Sequence, residues 1–295
     1  MDENKFTVMQ KAEVLIEALP YIQRFNRKII VIKYGGSAMT DETLKDGVIA
    51  DAVLLKLVGF KPILVHGGGK EISSWSQKIG LESHFANGLR ITDGPTMEIA
   101  EMVLNRVNKE LVTKIQKLGV RGVGVSGKDG GLLHVKKREA DRVDLGYVGE
   151  IDRVDGAVLR DLLEKDFLPV VCPIGYDDAF DTYNINADDA ACAIASALGA
   201  EKLAFLTDVE GVMVDPKDPE SLIPQMTASQ AEEFASSGKA GGGMIPKLKN
   251  CAAAIREGVG RVHIIDGRVP HCLLLEIFTN RGIGTAILKD TEEPA

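Results

Sequence analysis

The stretch Lys28-Ile29-Ile30-Val31-Ile32-Lys33-Tyr34-Gly35-Gly36-Ser37 decides how the chain is read. A β-branched apolar run of strand length ends in a lysine and then in two glycines, so the backbone turns sharply where a cation has been set. Bare glycine amides can approach an anion closely, a helix starting nearby adds its positive end, and Lys33 supplies a full charge. Alone, the stretch reads more readily as a strand followed by an ordinary Gly-Gly turn. The segments around it separate the two readings.

Downstream the arrangement recurs. Residues 41–59 carry a helical pattern, and the strand Pro62-Ile63-Leu64-Val65 runs into His66-Gly67-Gly68-Gly69-Lys70, with a helix expected over 71–79. Strands alternating with helices imply a parallel sheet whose binding crevice lies beyond the carboxyl ends of its strands. Two glycine turns at neighbouring strand ends would then face one site. Arg90, in the loop-like segment 83–96, is placed after both turns to grip a carboxylate through a bidentate pair. Residues 95–118 read as a scaffold helix. Gly122-Val123-Gly124-Val125-Ser126-Gly127 matches the dinucleotide fingerprint, yet that fingerprint needs a helix directly after its glycines. Here Lys128-Asp129-Gly130-Gly131 and a short strand over 132–136 follow, so nicotinamide binding is set aside. Residues 137–157, with Asp141, Asp144, Gly146, Gly149 and Glu150, read as a solvated β-hairpin region.

A strand over 167–174 leads through a loop to Tyr183-Asn184-Ile185-Asn186-Ala187-Asp188-Asp189, which opens an alanine-rich helix over 187–198. Asparagine and aspartate at a helix start are ordinarily caps, but a carboxylate with two lysines to organise would use the same position, and Asp188 is the candidate. After Gly199 the pattern begins again with a strand over 202–206 and the turn Thr207-Asp208-Val209-Glu210-Gly211, so the boundary between two lobes, 27–198 and 199–295, falls there. A polar loop with Pro216, Pro219 and Pro224 precedes a helix over 228–236. Then Ala240-Gly241-Gly242-Gly243-Met244-Ile245-Pro246-Lys247 puts a second lysine at the mouth of a second glycine loop, feeding a helix over 248–257. The last strand is expected over 262–265, followed by a short helix over 270–278 and Asn280-Arg281-Gly282. Upstream, in the segment 1–26, residues 4–25 carry an apolar stripe of Val8, Ala12, Leu15, Leu19 and Ile22, with Pro20 expected to kink or break the helix near Leu19. A terminal helix of this kind packs either on its own domain or on another subunit.

At 295 residues, 45% hydrophobic and 26% charged, the chain has the composition of a globular protein with a substantial core. A net charge of -8 argues against nucleic acid or an anionic membrane as the main partner. Cys172, Cys192, Cys251 and Cys272 are widely spaced, without a C-x-x-C pair, and read as reduced core thiols. With no signal peptide visible and no apolar run near the ~18 residues of a membrane span, the expected location is the cytoplasm.

Taken in order, Lys33-Tyr34-Gly35-Gly36, His66-Gly67-Gly68-Gly69, Asn184-Ile185-Asn186-Ala187-Asp188, Thr207-Asp208-Val209-Glu210-Gly211 and Gly242-Gly243-Met244-Ile245-Pro246-Lys247 resemble the amino-acid kinase family over residues 28–289. The resemblance is greatest to members that phosphorylate the side-chain carboxylate of N-acetyl-L-glutamate in arginine biosynthesis. It implies a three-layer α/β/α sandwich on a mainly parallel sheet, with an amino-terminal lobe for N-acetyl-L-glutamate and a carboxy-terminal lobe for ATP. By that resemblance Lys33 and Lys247 stabilise the transferring phosphoryl, Asp188 orients both, and Gly36 and Gly68 donate backbone hydrogen bonds. Gly67, Gly68, Arg90 and Asn184 would hold the acceptor; Gly35, Gly36, Thr207, Asp208, Gly211 and Met244 would lie along the nucleotide. Mg2+ would be bound through phosphate oxygens, with no metal held by the protein itself.

The first helix and the segment around His263 resemble the arginine-inhibited members, which implies a hexamer built as a trimer of dimers and an L-arginine site lined by Lys202, His263, Glu276 and Gly282. A PII-type signalling protein is a partner that the resemblance allows and the residues do not reveal. Two alternatives stand beside this reading: another acceptor in the same fold (aspartate, glutamate, carbamate or UMP), and a non-catalytic arginine sensor. The presence of Lys33, Asp188 and Lys247 together weighs against the sensor.

Overall fold

The apolar run after Lys28 becomes strand β1 (Ile29–Tyr34), which lies inside an eight-stranded sheet. Its residues alternate between two apolar clusters: Val31 faces one, while Ile30, Ile32 and Tyr34 face the other, and all four are fully buried. A strand with no wet face needs helices on both sides, which explains a continuous apolar run in place of an alternation. The computed structural model describes residues 7–39, 41–86, 88–140, 143–215, 217–241, 243–279 and 282–292. Expectations that touch residues 4–6, Asp141, Pro216, Gly242, Asn280 and Arg281 concern residues outside that set.

On one side of β1 the sheet continues through β2 (Lys61–His66), β8 (Leu168–Cys172) and β5 (Gly122–Ser126), and on the other through β11 (Lys202–Thr207) and β13 (Arg261–Asp266), all parallel. Two strands that the sequence did not announce extend this edge: β14 (Thr285–Leu288), antiparallel to β13, and β12 (Gln225–Thr227) beyond it. Both are short and follow proline-rich or glycine-rich loops, so periodicity has little length in which to declare itself.

Helices α5 (Ala157–Glu164), α6 (Ala187–Leu198), α7 (Ala228–Ser236) and α8 (Met244–Arg256) pack into the cluster on the Val31 face. On the opposite face α2 (Glu42–Leu57), α4 (Gly94–Lys117) and α9 (Cys272–Ile277) bury Ile49, Leu111 and Leu273. The shorter α3 (Gly69–Lys78) adds Ile72 to a satellite cluster with Leu104 of α4. Helix α1 (Val8–Phe25) touches the body through its last turn, with Phe25 buried and Tyr21 packed edge-on against Phe278, while Val8, Leu15 and Ile16 are exposed. The helix runs through Pro20 without a break. Pro20 lies on an exposed turn, where water can serve the carbonyl that its missing N–H leaves free.

Two further departures concern the region before α6. Residues 137–157 are not simply a solvated hairpin: β6 (Leu133–Lys137) and β7 (Val148–Val154) close with β9 (Ile174–Tyr176) and β10 (Thr182–Ile185) into a small barrel that buries Val135, Val148, Ile174 and Ile185. The strand expected over 167–174 divides at Pro173, where β8 leaves the main sheet and β9 enters the barrel; a proline cannot donate to a ladder, so the chain can change sheets there. A two-residue pair, β3 (Phe85–Ala86) with β4 (Leu89–Arg90), forms the hairpin that carries Arg90. No helix among the described residues is long and apolar enough to cross a membrane.

Candidate active site

The carboxyl ends of β1 and β2 lie side by side, with Tyr34 opposite His66, and the Gly67 amide donates to the Tyr34 carbonyl at 2.8 Å. The two glycine turns therefore emerge next to each other, and Gly36, Gly68 and Arg90 share the wall of one cavity of about 460 Å3. Gly36 has φ +72°, and a Cβ there would run into the carboxylate of Asp208, so both the backbone and the neighbour demand glycine. Helix α3 starts directly at Gly69, leaving its first amides without intrahelical partners and facing the same opening. His66 behind the turn is fully buried, and burial lowers its ring to about 4. The ring is therefore neutral, engaged by the Gly67 carbonyl at 2.7 Å and Asn108 at 3.2 Å.

Lys33, from the end of β1, meets Asp188 Oδ1 at 2.9 Å, and Lys247, from the first turns of α8, donates to the other oxygen, Oδ2. Asp188 reaches both because the helix cap is a different residue: the Asn186 side chain accepts from the Asp188 and Asp189 amides at 2.8 and 3.2 Å. A carboxylate at the N-terminus of α6 is also favoured by the helix dipole. Burial alone would raise the Asp188 carboxyl, but the two ammonium groups outweigh it and hold the group at about 2. Lys247 Nζ also lies 4.8 Å from the centre of the Phe205 ring.

This ionic triple sits between two cavities of different character. One, of about 490 Å3, is lined by Lys33, Gly36, Thr207, Asp208, Gly211, Met244 and Lys247 together with apolar side chains such as Val212 and Phe234. The other, of about 200 Å3, is lined by Gly67, Gly68, Arg90 and Asn184. Gly35 stands behind the lysine, since a Cβ there would lie 2.5 Å from Lys33 Nζ. Arg90 is buried and held rigidly: its guanidinium donates to Ser83 Oγ at 2.8 Å, Gly69 O at 2.7 Å and Ser73 Oγ at 2.8 Å, and packs 4.7 Å from the Phe85 ring centre. Ser73, Ser83 and Phe85 were not singled out in the sequence, where serines in a helix and a loop carry no distinguishing signal.

Lys202, His263, Glu276 and Gly282 form a second cluster, at the opposite end of β11 from Thr207. Lys202 Nζ is 3.0 Å from His263 Nε2, and His263 Nδ1 is 2.6 Å from Glu276 Oε1. The other Glu276 oxygen accepts from the Ile283 and Gly284 amides at 2.8 and 3.2 Å, and a Cβ on Gly282 would lie 2.5 Å from it. Burial lowers His263 to about 4, with the Lys202 charge acting the same way, and burial lowers Lys202 to about 8. Burial would raise Glu276, yet the hydrogen bond from His263 and those amides keep it below its ordinary value. Phe25, the last residue of α1, covers the cluster with its ring centre 4.9 Å from Lys202 Nζ, a contact the sequence did not announce.

The fold and these turns define the class, and the comparisons agree: the Amino acid kinase family model matches residues 28–266, and the chain belongs to that family. Within it the chain is similar to proteins named acetylglutamate kinase. The one from Campylobacter jejuni subsp. jejuni serotype O:2 is 57% identical over 279 residues, covering 95% of this chain and 98% of that protein. The one from Heliobacterium modesticaldum is 50% identical over 291 residues, covering 95% and 99%. Among solved structures, N-acetylglutamate synthase from Neisseria gonorrhoeae, complexed with coenzyme A and N-acetyl-glutamate, superposes with a TM-score of 0.84 at 28% identity, over 95% of this chain and 64% of that one. The same synthase complexed with coenzyme A and L-arginine gives 0.81 at 27%, over 95% of this chain and 65% of that one. Giardia carbamate kinase shares the fold, with a TM-score of 0.65 at 16% identity over 90% of this chain and 99% of that one.

Proposed function

We propose that the chain transfers the γ-phosphoryl group of ATP to the side-chain carboxylate of N-acetyl-L-glutamate, giving N-acetyl-L-glutamyl 5-phosphate and ADP in arginine biosynthesis, in the cytoplasm. The observation that carries this reading is Asp188 holding Lys33 and Lys247 between a large, partly apolar cavity and a small one walled by an arginine and an asparagine. In this assignment residues 199–295 take the nucleotide through Thr207, Asp208, Gly211 and Met244, and Gly35 and Gly36, after β1, lie along it from the other lobe. Residues 27–198 take the acceptor, with Arg90 and Asn184 on its α-carboxylate and Gly67 lining the pocket.

The acceptor carboxylate is ionised at pH 7, so it attacks without a general base, in keeping with the neutral, fully engaged His66. As its oxygen bonds to the γ-phosphorus, the bond from phosphorus to the bridging oxygen breaks and that oxygen leaves with ADP. Charge spread over the moving phosphoryl is met from two sides by Lys33 and Lys247 and by the Gly36 and Gly68 amides. Both oxygens of Asp188 are taken by lysines, so Mg2+ fits as a passenger on the phosphates, where it supplies charge neutralisation when bound.

Hydroxylamine trapping tests the reaction: ATP and N-acetyl-L-glutamate should give a hydroxamate, while aspartate, glutamate, carbamate and UMP should not support turnover. Lys247→Ala should lower kcat by about 10²–10³. A variant with near-normal turnover refutes the assignment.

The second cluster belongs to the same proposal as an L-arginine site: a buried carboxylate, Glu276, lies under the end of α1 and could receive a guanidinium. The exposed Val8, Leu15 and Ile16 on α1 suit packing against another copy, which supports a hexamer formed as a trimer of dimers linked by α1.

A further inference from the structure

Asp188 is not the only carboxylate by which α6 holds α8. Its neighbour Asp189 accepts from Asn250 Nδ2 at 2.7 Å through Oδ1, and from Arg138 Nη1 at 2.7 Å through Oδ2. Asn250 lies three residues beyond Lys247, on the same side of α8. Consecutive residues at one helix start thus grip a second helix at two points about one turn, or ~5 Å, apart. A single contact fixes how close α8 comes; two contacts also fix its rotation, and so the direction in which Lys247 is presented.

Arg138 extends this hold to the small barrel. It follows β6, its amide donates to the Val148 carbonyl at 2.7 Å, and Val148 pairs with Asn184 between β7 and β10. The barrel that carries Asn184 is therefore tied through Arg138 and Asp189 to the helix that carries Lys247. All three side chains line the opening of about 620 Å3 in which Lys247 and Asp188 also lie, together with Gly88 of the Arg90 hairpin.

We propose that Arg138, Asp189 and Asn250 are positioning residues that set the orientation of Lys247 and register it against the acceptor pocket. This rests on the reading that Lys247 faces the transferring phosphoryl. A lysine side chain has four rotatable bonds, and a displacement of about 1 Å at a reacting centre can cost about 10²-fold in rate. Core packing of Leu248, Cys251 and Ile255 seats α8, and Asp188 holds only the far end of the Lys247 side chain; the Asp189–Asn250 contact adds a polar hold on the helix from the same start of α6.

The test is a set of double-mutant cycles with thermal unfolding alongside. Asn250→Ala and Arg138→Met are each made alone and in the Lys247→Ala background, and kcat and KM are measured by ADP release. In the wild-type background each should lower kcat by about 10- to 100-fold, with KM for N-acetyl-L-glutamate changed less than about twofold. In the Lys247→Ala background the same changes should alter kcat by less than about twofold, because the group they orient is gone. Equal losses in both backgrounds would show that the trio only supports the fold, and unchanged kcat in both single variants would show that it does nothing for the reaction; either result overturns the inference. Arg138→Met, at a half-exposed site, guards against an Asn250→Ala variant that unfolds. Near-normal turnover in Lys247→Ala alone would instead remove the reading beneath, and is recognised from that single variant.

Discussion

Replacing Asp188 by asparagine keeps the shape of the side chain and deletes the charge that Lys33 and Lys247 share. In the folded chain this carboxyl titrates at about 2, against an ordinary 3.8, and its side chain is 22% exposed, so solvent screens the interaction only in part. Lowering a carboxyl by that much corresponds to about 2 kcal/mol of folding stability. The folded value is the depressed one, so this contribution is complete above about pH 4 and is lost as pH falls through about 2. Asp188→Asn should therefore be less stable than wild type by about 2 kcal/mol at pH 7, as measured by urea unfolding with circular dichroism. The gap should hold to about pH 4 and narrow below it, since protonating the wild-type carboxyl creates the same uncompensated pair of ammonium groups. Turnover should fall on the order of 10²–10³, because the lysines repel one another and no longer converge. A variant as stable as wild type at pH 7, or a gap indifferent to acid, would refute the account of how the site is held.

Arg90→Lys should raise KM for N-acetyl-L-glutamate by about 10- to 100-fold while moving kcat much less, because a point charge cannot replace a planar fork already held by Ser73 and Ser83; initial-rate kinetics check it. Gly36→Ala should cost about 1–2 kcal/mol from the left-handed backbone alone and raise KM for ATP, since the new methyl meets Asp208; an unchanged melting temperature would argue against the turn geometry. Deleting residues 1–25 should convert a hexamer into dimers that keep their activity and respond less to L-arginine. Light scattering and an inhibition curve on the truncated protein decide this, and an unchanged assembly would sink the role given to α1.

The parallel sheet was legible because β1, β2 and β11 are buried on both faces and so appear as unbroken apolar runs ending in glycine or in Thr207-Asp208. Lys33, Asp188 and Lys247 could be picked out because each stands beside a strand end or helix start, where a charge would otherwise be idle. The barrel was not legible. Its strands are short and unevenly buried, and Leu133 to Lys137 pairs both with residues 149–154 and, at His134, with Tyr176, 42 residues further on, which local periodicity does not register. Asp189 and Asn250 were hidden for a different reason: one reads as a cap and the other as a polar residue on a helix. Only the three-residue spacing from Lys247 to Asn250, matched to the adjacent Asp188 and Asp189, hinted that the two helices meet twice. Phe25 over Lys202 joins residues far apart in sequence, and nothing local marks it.

The position of β1 explains why these parts converge. Its neighbour on one side is β2, whose end supplies Gly67 and Gly68 to the small cavity; on the other is β11, whose end supplies Thr207 and Asp208 to the large one. The end of β1 therefore lies between the strand ends that supply the two cavities, and Lys33, which lines the large one, occupies it. On the proposed reading, the strand order sets that position where the two anions approach, and the sequence places a cation there. The opposing cation has to come from outside the sheet, so it comes from a helix, and a helix can slide and roll in ways that a central strand cannot. That difference in rigidity is why Lys33 has one carboxylate and a sheet to hold it, while Lys247 has that carboxylate and a second grip at Asn250.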